Sequence, residues 1–225
     1  RYIGSKDIKK DVDEVLITGG DPLMSLPLLE YTLSELRNNA PNIKTIRIGT
    51  RVPVQDPKRI NSKLIEILKF YDNFRYEFGV NICHPSELTK ESIEALNLLI
   101  KNRYRIYNQH PLLKSVNDDV DTLVSLYEKM REIGIEPHYL FHAIPMRGMS
   151  HHRTSVKKGL DLSMQLSSGG YFSGRSKPKY CLMTDLGKVV LYDGSLIKKN
   201  EHDELLIKTN YDYSMRKKWV PGWQL

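Results

Sequence analysis

Short apolar runs and helix-spaced apolar positions alternate along this chain from Glu14 to Leu166. Glu14–Ile17 (EVLI) reads as a short buried strand. Leu26–Asn38 then repeats apolar residues at helical spacing, with Leu28, Leu29, Leu33 and Leu36. Ile43–Ile48 (IKTIRI) alternates like a strand, and Asn61–Phe70 returns to helix with Leu64, Ile67 and Leu68 on one side. Tyr76–Ile82 (YEFGVNI) is strand-like. Thr89 opens a helix to about Asn102, with cap chemistry in the preceding Ser-Glu-Leu-Thr stretch. Tyr104–Gln109 is a strand, and Asn117 and Asp118 cap a helix to Ile133 that Gly134 closes. Pro137–His142 is a strand, and Ser155–Leu166 is a helix ended by Ser-Ser-Gly-Gly. Five βα units in succession, with short connections, predict a parallel sheet with helices outside. Right-handed crossovers either curl such a sheet into a barrel or leave it open. Beyond Gly170 the period changes. Tyr180–Met183 and Lys188–Tyr192 flank Thr-Asp-Leu-Gly as a β-hairpin, Asp193-Gly194 makes another turn, and Tyr211–Leu225 is a basic, aromatic tail. The expected organisation is a core over 1–168 and a C-terminal extension over 169–225.

Composition narrows this picture. At 225 residues the chain can bury one large core, and 40% hydrophobic with 27% charged residues is a globular balance that excludes a disordered chain. No apolar run approaches the ~20 residues of a membrane-spanning helix, and no secretion signal is visible. The first residue is Arg, so a piece of a longer protein is expected. Cys83 and Cys181 are far apart, which excludes a disulfide framework or a CxxC metal knuckle within the chain and points to a reduced, cytoplasmic setting. A net charge of +7 favours anionic partners (phosphates, carboxylates or RNA) without choosing among them. Much of the excess is local, at Lys157-Lys158, Lys198-Lys199 and Arg216-Lys217-Lys218, as a solvated surface would have it.

In a parallel βα fold, ligands lie at the carboxyl ends of the strands. Here those ends carry Thr18-Gly19-Gly20-Asp21, then Gly49-Thr50-Arg51, then Asn81 through Cys83-His84-Pro85-Ser86-Glu87, then Asn108-Gln109-His110, and last His142 leading to Arg147-Gly148 and His151-His152-Arg153-Thr154. Small or polar groups at five strand ends in register exceed what helix capping alone requires. Each residue also has a plainer role. Asp21 can be a helix N-cap, Arg51 a surface ion pair, His84 a loop histidine and Asn108 a partner for loop backbone. Cys83 beside His84 reads as a nucleophile or, more simply, as a small buried thiol. Adjacent His151 and His152 make a poor pair for one metal ion. Gly19-Gly20 has the spacing of neither a P-loop nor a dinucleotide fingerprint. It serves a tight turn or the close approach of a small ligand.

Taken together, EVLITGGDPL, IRIGTRVPV, NICHPSELT, YNQHPLLKSVNDD and PHYLFHAIPMRGMSHHRTSV, with RYIG before them, resemble the lysine 2,3-aminomutase family of radical SAM enzymes, collinearly from Arg1 to about Leu166. The resemblance implies a partial (β/α) barrel with five of six βα units present, followed by the β-hairpin extension. It implies S-adenosylmethionine (SAM) and a [4Fe–4S] cluster whose CxxxCxxC ligands are expected upstream of Arg1, with no metal ligands in this chain. It assigns Thr18, Gly19, Gly20, Asp21, Thr50, Arg51, His84, Asn108 and Gln109 to SAM, and His142, Arg147, His151 and Arg153 to the substrate side. The implied reaction is a radical 1,2-amino shift, or a related hydrogen abstraction, on an amino acid.

Three departures qualify the match. CxxxCxxC is absent, so the chain alone is expected to be inactive. The family's pyridoxal phosphate (PLP) lysine in a Gly-rich loop has no counterpart in SSGGYFSGRSKPKYCLM, where Lys177 and Lys179 do not match it, which disfavours PLP. The family's substrate-binding Asp aligns with Ile144, so lysine loses its partner, and Arg147 nearby suits a carboxylate or phosphate. Two other readings stay open: a PLP-independent radical SAM enzyme acting on RNA or protein, and a cluster-less, non-catalytic binding domain of the same fold. Homo-oligomerisation is expected for an aminomutase of this type, with Trp219 and Trp223 as interface anchors.

Overall fold

A computed structural model describes residues 3–5, 8, 11–168, 174–185, 187–191, 196–199, 201 and 205–207. In chain order its elements are β1 (Glu14–Ile17), α1 (Leu26–Asn39), β2 (Thr45–Thr50), the short α2 (Val52–Gln55), α3 (Ser62–Phe70), β3 (Arg75–Val80), α4 (Lys90–Lys101), β4 (Arg105–Leu112), α5 (Val120–Ile133), β5 (Glu136–His142), α6 (Val156–Ser168), β6 (Lys179–Thr184), β7 (Gly187–Val190), β8 (Leu196–Lys199) and β9 (Leu205–Ile207). The strand–helix alternation is that of an α/β partial (β/α) barrel. The chain divides into two compact units, Arg1–His110 with Ser125–Pro137, and Pro111–Val124 with His138–Leu225. The Asp193-Gly194 turn, Trp219 and Trp223 lie outside the described residues. No helix among the described residues is long and apolar enough to cross a membrane.

In the first unit β1 to β4 pair in parallel, in sequence order. Side chains alternate across a strand, so the register sorts them onto two faces. One face carries Ile46, Ile48, Phe78, Val80 and Ile106, all buried. The helices supply matching buried stripes at i, i+4 or i, i+3 spacing: Leu29 and Leu33 of α1, Leu64 and Leu68 of α3, Leu96 and Leu99 of α4. Burying each such side chain contributes about 1.5–3 kcal/mol, so this face carries the unit's stability. The other face is polar. Arg47 Nε donates to the Tyr107 hydroxyl at 2.7 Å and its Nη1 to Glu14 Oε1 at 3.0 Å. Asn61 caps α3, accepting from Leu64 N–H at 3.3 Å, and Thr89 caps α4, accepting from Ser92 N–H at 3.2 Å.

The second unit contains the predicted hairpin. β6 and β7 pair antiparallel, with Cys181 opposite Val190 and Thr184 opposite Gly187. β6 also pairs in parallel with β5, Leu140 beside Tyr180, so one of its edges is parallel and the other opens the hairpin. β8 and β9 form a separate antiparallel pair with an irregularity between Leu196 and Lys198. The cap of α5 falls one residue later than the sequence suggests. Asn117 and Asp118 are spent on the preceding turn, accepting from Leu113 N–H and Ser115 N–H at 2.7 and 2.8 Å. Asp119 accepts from Thr122 N–H at 2.8 Å instead. Three consecutive Asx residues all have capping chemistry, and only the helix start selects one.

Gly159 sits inside α6, where glycine ordinarily costs up to ~1 kcal/mol relative to alanine. Its reason is Tyr180: a Cβ on Gly159 would lie 2.1 Å from the tyrosine ring, which is buried at 1% exposure. Gly159→Ala is therefore expected to destabilise the protein by about 1–3 kcal/mol through overpacking, despite its better helix propensity. Chemical denaturation measures this, and a stabilised variant would show that Tyr180 is not packed there.

Candidate functional site

The carboxyl ends of the first unit's strands surround a cleft of about 330 Å³, near the small end of the ~300–1,000 Å³ typical of ligand sites. Thr18, Gly19 and Asp21 follow β1; Gly49 and Thr50 end β2 and Arg51 follows it; Asn81 follows β3; Gln109 comes from β4. Gly19 has φ +121°, a conformation that side chains disfavour, and a Cβ there would meet nothing within 4 Å. It makes the turn and leaves the cleft open. Gln55 and Gly79 also line the cleft and have no signal in the strand-end reading, because Gln55 lies on the short α2 and Gly79 inside β3. A larger groove of about 580 Å³ beside α4 mixes Lys58, Lys101, Glu91 and Glu94. None of the unpartnered buried polar atoms of the described residues belongs to it.

Asp21 organises one wall. Its carboxylate accepts from the Thr50 hydroxyl at 2.8 and 2.9 Å, from Arg51 N–H at 2.7 Å and from Leu23 N–H at 3.1 Å. The last bond caps a short 3₁₀ turn at Pro22–Met24, so the plain capping role and a site role coexist in one side chain. Thr50 also accepts from Val52 N–H at 3.0 Å, so its hydroxyl both donates and accepts within the protein. The effect is to lock the end of β1 to the end of β2.

The Asn108-Gln109 pair divides across the sheet. Alternation gives neighbours on β4 opposite faces. Asn108, 1% exposed, donates to Ile82 O at 2.9 Å and accepts from Ile82 N–H at 2.8 Å, stitching β4 to the backbone beyond β3. Gln109 takes the cleft side, and its buried Oε1 has no hydrogen-bond partner. The same is true of Arg51 Nε, although Arg51 Nη2 donates to Glu87 Oε2 at 2.7 Å. Two residues that line the cleft thus carry one buried donor and one buried acceptor, both unpartnered. A buried unsatisfied polar group costs about 1–3 kcal/mol, which a ligand that pairs with it recovers.

Gly20 and His84 do not line the cleft. His84 caps the 3₁₀ turn Pro85–Glu87, with Nδ1 accepting from Ser86 N–H at 3.2 Å, and Glu87 Oε1 accepts from the N–H groups of Cys83 and His84 at 2.7 and 2.9 Å. Glu87 therefore ties this loop to Arg51. Cys83 is 5% exposed, and burial first, then Glu87, push its thiol up to about 11 against the opposing charge of Arg51. At pH 8 Cys83 then stays in its unreactive thiol form. Iodoacetamide at pH 8 is expected to leave Cys83 and Cys181 unlabelled in the folded protein over a time that labels the unfolded chain fully. Rapid labelling of folded Cys83 would restore the nucleophile reading.

The remaining predicted residues lie in the second unit. His142 is buried at the end of β5, with Nδ1 2.9 Å from the Tyr180 hydroxyl. Arg153 Nε donates to the Ala143 carbonyl at 3.3 Å. Arg147 and His151 are exposed, and Ile144 is 50% exposed. The His151 and His152 rings lie 4.1 Å apart, and no group of three His, Cys, Asp or Glu among the described residues is arranged to hold a metal ion. Lys177 donates to the Ser167 carbonyl, and Lys179 is exposed at the start of β6.

Comparison with known proteins agrees with this architecture. No family model matches the chain. L-lysine 2,3-aminomutase of Clostridium subterminale is 33% identical over 224 residues, covering 94% of this chain and 51% of that protein. Glutamate 2,3-aminomutase of Clostridioides difficile is 33% identical over 203 residues, covering 89% of this chain and 47% of that protein. The chain spans about half the length of the curated relatives it matches. Among solved structures, a radical SAM methyltransferase from Sphaerobacter thermophilus aligns with a TM-score of 0.52 at 16% identity, over 76% of this chain and 51% of that one, a likeness of fold. Over the stretch that it covers, the chain is thus similar in sequence to lysine and glutamate 2,3-aminomutases and similar in fold to a radical SAM methyltransferase.

Proposed function

We propose that the first unit binds SAM and that the intact protein is a radical SAM enzyme of the aminomutase type, moving an amino group between neighbouring carbons of an amino acid or abstracting hydrogen from one. The observation that carries this reading is the pair of unpartnered buried atoms on two residues that line one cleft, Arg51 Nε and Gln109 Oε1. A donor and an acceptor together suit a zwitterion. The amino-acid end of SAM offers a carboxylate for Arg51 and an ammonium for Gln109. Asp21 and Thr50 hold the cleft's two walls in place, and Asn108 fixes the strand that presents Gln109. His84 does not line the cleft and serves its own loop, its Nδ1 accepting from Ser86 N–H.

Held in this cleft together with a reduced [4Fe–4S] cluster, SAM would supply radical hydrogen abstraction, and the residues here would bind and orient it. The described residues offer no ligand set for such a cluster. This reading leaves its ligation to the rest of the intact protein and gives this chain binding and orientation. For the substrate, the relatives named for lysine and for glutamate leave the side chain open. Ile144, exposed where a carboxylate would greet a lysine ammonium, favours a substrate without one. Calorimetric titration tests the binding step. SAM and S-adenosylhomocysteine are expected to bind, and methionine to compete, because all three share the zwitterion. Adenosine competing while methionine does not would overturn the assignment of Arg51 and Gln109.

A further inference from the structure

Among its described residues, the second unit gathers hydrogen-bond donors at His142 and Arg153 with no acid paired to them. Tyr180 is 1% exposed, and among the described residues its hydroxyl has one partner, His142 Nδ1 at 2.9 Å. Burial raises the phenol's pKa, so it keeps its proton, and a buried O–H must donate. The acceptor is therefore Nδ1, and the imidazole proton sits on Nε2. Burial first, and then the charge of Arg153, lower the His142 pKa, which keeps the ring neutral near pH 7. Arg153 spends Nε on the carbonyl of Ala143, the residue after His142. No acid pairs with its guanidinium among the described residues. The hydroxyl of Thr154, next in the chain, is buried and also unpartnered.

We propose that His142 Nε2–H and the Arg153 guanidinium form a subsite for a carboxylate, that of the amino-acid substrate. The proposal rests on the reading of an amino-acid substrate given above. A carboxylate matches the planar fork of a guanidinium and takes one further N–H from a neutral imidazole. The Tyr180 bond also argues for a singly charged ligand. A dianion such as phosphate would draw a second proton onto His142, turning Nδ1 into a donor and leaving the Tyr180 hydroxyl with no acceptor. Tyr180 is thus a positioning residue that fixes the tautomer.

The test is long-range ¹H–¹⁵N NMR of the histidine nitrogens in the intact protein, titrated with acetate at constant ionic strength. Before addition, Nδ1 of His142 is expected to be unprotonated and Nε2 protonated. Acetate is expected to shift Nε2 saturably, Arg153→Gln to weaken that response at least tenfold, and Tyr180→Phe to mix the two tautomers. A protonated Nδ1 in the wild type, no acetate response, or an equal response to chloride would each overturn the subsite, and the wild-type measurements suffice should Arg153→Gln fail to fold. The titration needs neither SAM nor turnover. Loss of the acetate response leaves the SAM assignment standing, and failure of SAM binding with acetate still bound sinks the SAM assignment alone.

Discussion

Asp21→Ala is expected to weaken SAM binding at least 100-fold and to destabilise the protein by about 2–4 kcal/mol. The carboxylate gathers the Thr50 hydroxyl, Arg51 N–H and Leu23 N–H, and Thr50 is 5% exposed. Charge-assisted bonds of this kind contribute roughly 1.5–3 kcal/mol each, and truncation leaves buried donors unmet. Binding suffers as well as stability because Arg51, which lines the cleft, is anchored through its backbone to Asp21. Asp21→Asn keeps the shape and part of the acceptor capacity, so it should fall between wild type and alanine in both measures. Denaturant titration and calorimetry on the same preparations separate the two effects. Binding within threefold of wild type in Asp21→Ala would mean that Asp21 is only a helix cap.

The second large effect is a contrast between neighbours. Asn108→Leu removes both bonds to the Ile82 backbone in a fully buried place and is expected to cost about 2–5 kcal/mol of stability. Gln109→Leu deletes an atom that has no partner in the protein, so stability should change by less than ~1 kcal/mol while SAM affinity falls at least tenfold. Equal stability losses in the two variants would contradict the division of faces.

That contrast also shows what the sequence could convey. The βα order was legible because period-2 and period-3.6 patterns follow directly from which face is buried, and the chain keeps them cleanly from Glu14 to α6. The strand-end polar residues were legible for the same reason. Alternation along β4 already implied that Asn108 and Gln109 face opposite ways, whereas the motif treats them as a pair. The 3₁₀ turns at Pro22–Met24 and Pro85–Glu87 were not read, since one turn is too short to show a period, although a proline at the first position of each marks them. The parallel pairing of β6 with β5 was hidden as well, because a strand entering a hairpin has the same local pattern whichever neighbour its other edge finds. Gly159 had no signal in its own helix; its reason lies on β6, in Tyr180. The Tyr180–His142 bond joins residues 38 apart, a proximity that only the folded chain reveals.

The most direct test of the central claim is 5′-deoxyadenosine release by the intact protein, purified anaerobically with its iron content measured, then given SAM and a reductant. The account predicts about four irons per chain, SAM binding, and nucleoside release that Gln109→Leu and Asp21→Ala reduce in step with their lost affinity. A folded, iron-loaded protein that neither binds nor cleaves SAM would contradict it.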